Sequence, residues 1–186
     1  MKILDMKTSY LLDQIKKPTA NPGGGSLVIL VGLMGLKLLR MMDKKNYEAL
    51  EDQAVVSRET LDGYEEELAL LVEEDIARTK DLIVAYKSGA KIEEDLYIKA
   101  ASPQIKAVDI LTHALKASQF ILKYGKKTTL SDGIIANNLM VEAVRSALPT
   151  IEINLKNTQR SYDYKGVLAL AKTLGEENEK IIEGRK

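Results

Sequence analysis

The sequence predicts an all-α protein, an antiparallel bundle of about six long helices. Three observations carry this. Only four prolines are spread over 186 residues, so little in the chain stops a helix. Apolar residues recur at three- and four-residue steps along most of its length, the period of a helix with one buried face. The stretch from Lys44 to Tyr86 is rich in Glu, Lys, Leu and Ala and contains no proline, a composition of strong helix formers. Long amphipathic helices bury their apolar stripes by packing side by side.

Taken in order, the first helix is expected over roughly Leu4 to Ile15, with Leu4, Leu11, Leu12 and Ile15 on one side, and Lys17-Pro18 ends it. The loop PTANPGGGS follows. A second, buried helix runs from about Ser26 to Met42. Its continuous apolar run, Leu27 to Leu36, is about half the roughly 20 residues that span a bilayer, so it reads as core. The third helix covers Lys44 to Tyr86, and its one glycine, Gly63, marks a candidate bend. The fourth is expected over Ile92 to Tyr124, interrupted at Pro103 and closed by Gly125 in a left-handed cap. Ser131-Asp132 reads as the next helix start, because a side-chain oxygen there can accept from first-turn N–H groups. That helix is expected to reach Lys156 with a kink at Pro149. Ile151 to Leu155 alternates apolar and polar like a strand, yet a lone strand has no partner, so it is kept helical. A last helix covers Tyr164 to Ile182. No internal repeat divides the chain, and residues 1–186 are expected to form one domain.

Composition narrows the function. Lys+Arg and Asp+Glu are both 27, and a zero balance gives no support to a nucleic-acid or anionic-membrane partner. It also leaves self-association unopposed by charge. There is no cysteine, which excludes disulfides, thiol catalysis and cysteine-ligated metals. The opening MKILDMKTSY lacks the apolar stretch of a secretory signal, so a cytoplasmic location is expected. No zinc signature, P-loop or dinucleotide fingerprint occurs, and no metal site is expected.

Four features can carry chemistry. Pro22, Gly23, Gly24, Gly25 and Ser26 precede the most apolar helix. Successive glycines let a ligand approach the backbone closely. Ser26 can cap the helix, whose exposed N–H groups and positive dipole end then suit an anion or polar ligand edge. A tight turn against a closely packed helix or subunit fits the same run. The second feature is Asp75, which shares a face with Leu68, Leu71, Thr79, Leu82 and Tyr86 by helical steps. A carboxylate among apolar neighbours must be hydrogen-bonded or line a wet cavity, and such a setting raises its pKa toward general acid–base use. With the stripe displaced by one position, Asp75 would instead pair on the surface with Arg78 or Thr79. The third is Ser131-Asp132, with Asn137, Asn138, Glu142 and Arg145 further along; these fit a polar ligand site or a solvated face with an ion pair, and Asp132 also fits a cap. The fourth, Asn154, fits a buried polar anchor or an exposed turn. His113, the sole histidine, has no ligand-spaced partner and reads as an ordinary helix residue.

Together and in this order, these blocks resemble the cyclodeaminase family, formimino-tetrahydrofolate cyclodeaminases and methenyl-tetrahydrofolate cyclohydrolases. PGGGS at Pro22 to Ser26 leads into Gly32-Leu33-Met34-Gly35, similar to the family's glycine-spaced helix. Glu74-Asp75-Ile76-Ala77 leads to Ala85-Tyr86, then come Ser131-Asp132 and Ile153-Asn154-Leu155. The resemblance implies an all-helical homodimer with a tetrahydrofolate derivative as substrate and no tightly bound cofactor. It places the catalytic aspartate at Asp75 and implies substrate contacts from Pro22, Gly23, Gly24, Gly25, Ser26, Ser131, Asp132 and Asn154. The chain departs from the family pattern at Ala77 and Thr79, where the family has Glu and Phe, at Thr150 for an Asn, and in a shortened loop after Met42. An enzyme of folate one-carbon metabolism is the first expectation. The second is a non-catalytic folate- or pterin-binding or assembly protein that keeps the fold.

Overall fold

The structure is a computed structural model and describes residues 2–19, 21–89 and 91–186. Its α-helices are α1 (Thr8–Ile15), α2 (Gly24–Leu39), α3 (Glu51–Ser88), α4 (Glu94–Ala117), α5 (Gln119–Tyr124), α6 (Leu130–Leu155) and α7 (Tyr164–Glu183). Short 3-10 turns precede α1, follow α2 and lead into α3 and α6, and no strand occurs among the described residues. With α4 and α5 counted as one broken helix, this is the expected six-helix bundle, and the Ile151–Leu155 stretch is helical.

The central element is α2. Ile29, Leu36 and Leu39 are fully buried and Leu33 nearly so, and the helix packs on α3, α4 and, most extensively, α6. Two glycines permit that approach. A β-carbon on Gly35 would meet the Ala136 carbonyl and Leu139 of α6, and one on Gly32 would meet Leu111 of α4. The contacts of Gly35 with Ala136 and of Met42 with Gly133 run α2 and α6 antiparallel. Ion pairs Lys37–Glu65 at 2.6 Å and Arg40–Asp62 at 3.1 Å tie α2 to α3. With the following turn, Gly24–Met42 forms 19 residues of mean hydropathy 1.7, long and apolar enough to cross a membrane by length and composition. The ten-residue run therefore understates it, but its buried stripe faces the bundle.

Several boundaries differ from expectation for identifiable reasons. The first helix is split: Ile3–Asp5 is a 3-10 turn, and α1 begins at Thr8. The turn is held because Ile3 is buried and its N–H donates to Glu73 Oε1 at 2.6 Å. The helix α4 runs on through Pro103, flanked by the buried Ala100, Ala101, Gln104 and Ala107, so packing overrides the lost donor. The break falls instead at Ser118, whose hydroxyl donates to the Leu115 carbonyl at 2.7 Å. Gly125 is not left-handed, with φ −65°. Glycine is needed there because a β-carbon would overlap the Met42 carbonyl. The left-handed cap is Gly89 at the end of α3, with φ 69°. Ser131 and Asp132 do not cap α6, which starts at Leu130 with Thr129 preceding it and no side-chain cap bond. At α7 a side chain does cap: Asp163 accepts from the Gly166 N–H at 2.9 Å.

Candidate active site

The helical spacing that put Asp75 in an apolar stripe is realised. Asp75 lies on the inner face of α3 between Val72 and Ile76 and is 3% exposed. Gln104, fully buried on α4, donates from Nε2 to Asp75 Oδ1 at 2.9 Å. The Ser26 backbone N–H faces the same carboxylate and favours its charged form. The glycine loop lies directly on this pair: a β-carbon on Gly25 would stand 2.7 and 2.8 Å from the two Asp75 oxygens and 2.8 Å from Gln104 Nε2.

Asp75 thus occupies the position an anion takes at the first turn of α2, where unpaired N–H groups and the helix dipole favour negative charge. The capping group comes from another helix. Ser26 is not the cap: it is the third residue of α2, and its buried hydroxyl turns back to donate to the Gly23 carbonyl at 3.0 Å. Burial pushes the Asp75 carboxyl above the ordinary carboxylate range, and Gln104 and the Ser26 N–H offset part of that push.

Of the residues implied by the resemblance, the structure brings Gly23, Gly25, Ser26 and Asp75 into one cluster, with Pro22 buried beside them in the loop. Gly24 is exposed, with nothing within 4 Å of a would-be β-carbon. Asn154 lies near this end of the bundle. Its Nδ2 donates weakly, at 3.4 Å, to the Ala100 carbonyl, one helical turn before Gln104. Ser131 and Asp132 lie elsewhere. They sit on the first turn of α6 beside Gly133, which contacts Met42 at the far end of α2. A helix rises about 1.5 Å per residue, so the length of α2 separates them from Asp75.

Of the other polar candidates, Asn137, Glu142 and Arg145 have partners within the chain. Asn137 is buried and donates to the Gly175 carbonyl at 3.1 Å; Asn178 Nδ2 donates to Asn137 Oδ1 at 2.9 Å. Glu142 pairs with Arg145 at 3.2 Å on the surface. A cavity of about 570 Å³ opens between α6 and α7 over Asn137, Asn138 and Glu142, apart from Asp75. His113 is exposed, with Nδ1 2.8 Å from the Asp109 carbonyl.

Gln104 is the residue that sequence reasoning missed. Its signal was present: Ala100, Ala101, Gln104, Ala107, Val108 and Leu111 form a buried stripe, and Gln104 is its one polar member. The departures at Ala77 and Thr79 fall differently. Ala77 is exposed, whereas Thr79 is partly buried one turn beyond Asp75.

Fold and site define an all-helical protein in which a buried carboxylic acid, held by a glutamine, meets a glycine-rich helix start. The chain belongs to the formiminotransferase-cyclodeaminase family, whose model matches residues 7–169. Its structure is similar to that of formiminotetrahydrofolate cyclodeaminase from Thermotoga maritima. The TM-score is 0.76 at 22% identity, over 99% of this chain and 93% of that one. At that identity the likeness establishes the fold. No curated protein matches the sequence.

Proposed function

We propose that this protein is an enzyme of folate one-carbon metabolism. It would act as a cyclodeaminase on 5-formimino-tetrahydrofolate or as a cyclohydrolase on 5,10-methenyl-tetrahydrofolate. The observation that carries the reading is the buried Asp75 carboxyl against the bare backbone of Gly25. Family membership over residues 7–169 supports it.

Both reactions make or break a bond at one carbon held between two nitrogens, and both require a proton to move there. In ring closure, one nitrogen attacks the formimino carbon and loses a proton, while the departing nitrogen gains one and leaves as ammonia. A carboxyl with a raised pKa can hold that proton and pass it on. Asp75 is the general acid–base in this reading, and the exposed Gly24 backbone gives the ligand its approach. Ligand entry requires the loop residues covering Asp75 to lift. The reading further takes the protein as a cytoplasmic homodimer with no nucleic-acid or membrane partner.

A second reading rests on one specific observation: the Asp75 carboxylate lies against the first turn of α2, where it also suits a helix cap. A folate- or pterin-binding protein without turnover would keep that cap. The experiment is to mix the purified protein with each folate and follow the methenyl chromophore, with Asp75→Asn alongside. Turnover by wild type and loss of at least a hundredfold in the variant, the usual weight of general acid–base catalysis, supports the enzyme. Equal rates remove Asp75 from the mechanism. Tight binding without turnover supports the second reading.

A further inference from the structure

Gln104 has a fully buried side chain, yet its Oε1 has no hydrogen-bond donor. Buried acceptors are rarely left so, and this one belongs to the amide that holds Asp75. A primary amide has a donating end and an accepting end. While Asp75 is ionised, only the NH2 end can face it, because two oxygens would repel. Oε1 then points away, unfilled. When Asp75 takes up a proton, its O–H becomes a donor, and the amide can turn over so that Oε1 accepts from it and the NH2 end points away instead.

We propose that Gln104 is a positioning residue that ties the charge of Asp75 to a hydrogen-bond donor on the bound ligand. The ligand meets an acceptor when Asp75 is a base and a donor when Asp75 is an acid. A ligand presenting an N–H at this point fills the orphaned oxygen, favours the ionised carboxylate and releases the Asp75 proton. A ligand presenting a carbonyl favours the protonated form. The ligand half of this inference rests on the folate reading; the coupling between Gln104 and Asp75 does not.

The charged groups on the neighbouring elements do not compete for the pair. On α3 and α4, Glu74 pairs with Arg78 at 3.6 Å and with Lys106 at 3.7 Å, and all three are partly or fully exposed. The helix α2 carries no charged side chain before Lys37. On the last turn of α6, Glu152 is exposed and its charge acts on Tyr164. Burial, Gln104 and Ser26 are therefore what govern the Asp75 proton.

The test is a ligand-free NMR titration with labelled aspartate carboxyl carbons and glutamine side-chain nitrogens. The Gln104 amide nitrogen is expected to move with the same midpoint as the Asp75 carboxyl, and to stay fixed in Asp75→Asn. In Gln104→Met the Asp75 midpoint is expected to rise, with proton affinity up about tenfold. Should that variant not fold, Gln104→Glu is expected to give two widely separated carboxyl steps, because two adjacent carboxyls share one proton. A Gln104 amide indifferent to the Asp75 titration, an unmoved midpoint, or two independent steps would overturn the proposal. Calorimetry with tetrahydrofolate in two buffers of different ionisation heat then reads the ligand half. Wild type is expected to release a proton on binding and Gln104→Met is not; equal release overturns that half. Absence of any folate binding counts against the proposed function, and the ligand-free titration still decides the role of Gln104.

Discussion

The Gly25 backbone lies directly against the Asp75 carboxylate: a β-carbon there would stand 2.7 Å from Oδ1 and 2.8 Å from Oδ2. The neighbours cannot yield cheaply, since Asp75 and Gln104 are both buried. Gly25→Ala is expected to lose about 1–3 kcal/mol by overpacking and to weaken folate binding and turnover. Gly24→Ala is the control. Its β-carbon meets nothing within 4 Å, and an exposed substitution of this kind shifts stability by about 0.5 kcal/mol or less. Urea unfolding of both variants checks the contrast, and similar losses would mean that the loop is merely intolerant of side chains.

Asp75 also sets a pH dependence. Burial raises its folded-state pKa above the unfolded value, so the folded chain holds this proton more tightly than the unfolded chain does. The stabilisation from that proton is complete below the unfolded value, about 3.9. It is lost as pH rises through the folded-state value. Asp75→Asn carries no such charge, and its amide can meet both Ser26 and a turned Gln104. The variant is therefore expected to gain melting temperature relative to wild type as pH rises from about 4 through the raised folded-state value of Asp75, each tenfold in proton affinity being worth about 1.4 kcal/mol. A difference independent of pH would show that Asp75 titrates like a free carboxylate.

A second polar cluster, remote from Asp75, makes a prediction of its own. Asn178, fully buried on α7, donates from Nδ2 to the Leu115 carbonyl at 3.0 Å, to Ser118 Oγ at 3.2 Å and to Asn137 Oδ1 at 2.9 Å. It therefore serves α6, α7 and the break between α4 and α5 at once. Asn178→Leu strips these buried acceptors of their donor, and each orphaned group costs about 1–3 kcal/mol. Its unfolding free energy is expected to fall by at least that amount, with folate turnover per folded molecule unchanged because the cluster lies away from Asp75. A stability equal to wild type would mean that water replaces the amide.

The helices were legible because their period is local, and Asp75 was legible because one charged residue in a stripe is conspicuous. What stayed hidden depends on partners distant in sequence. Gly125 has the residue type of a left-handed cap, but its role comes from Met42, a contact that no local pattern encodes. Ser26 has the residue type of an N-cap, but Asp75 fills that role from α3. Ser131-Asp132 has the pattern of a helix start and falls within a turn of one, yet at the opposite end of α2 from Asp75. Gln104 was passed over because a single glutamine among alanines draws less notice than a carboxylate, although burial makes it equally specific.

The surface of α1 and α2 yields the last prediction. No residue of α1 is buried, and Tyr10, Leu12 and Ile15 are 46%, 62% and 40% exposed. A helix of eight residues is marginal alone and needs a partner for its apolar face. On α2, Val31 and Met34 are 36% and 56% exposed and share a face at a step of three, and Met41 in the turn that follows is 51% exposed. A second copy of the chain is the proposed cover, consistent with the zero net charge. Light scattering is expected to give twice the 20.6 kDa chain mass. Met34→Lys, which places a charge in the middle of the exposed stripe without touching the buried one, is expected to give a folded monomer by scattering and circular dichroism. A wild-type monomer at working concentration would count against the dimer, and a Met34→Lys dimer would place the interface on another face.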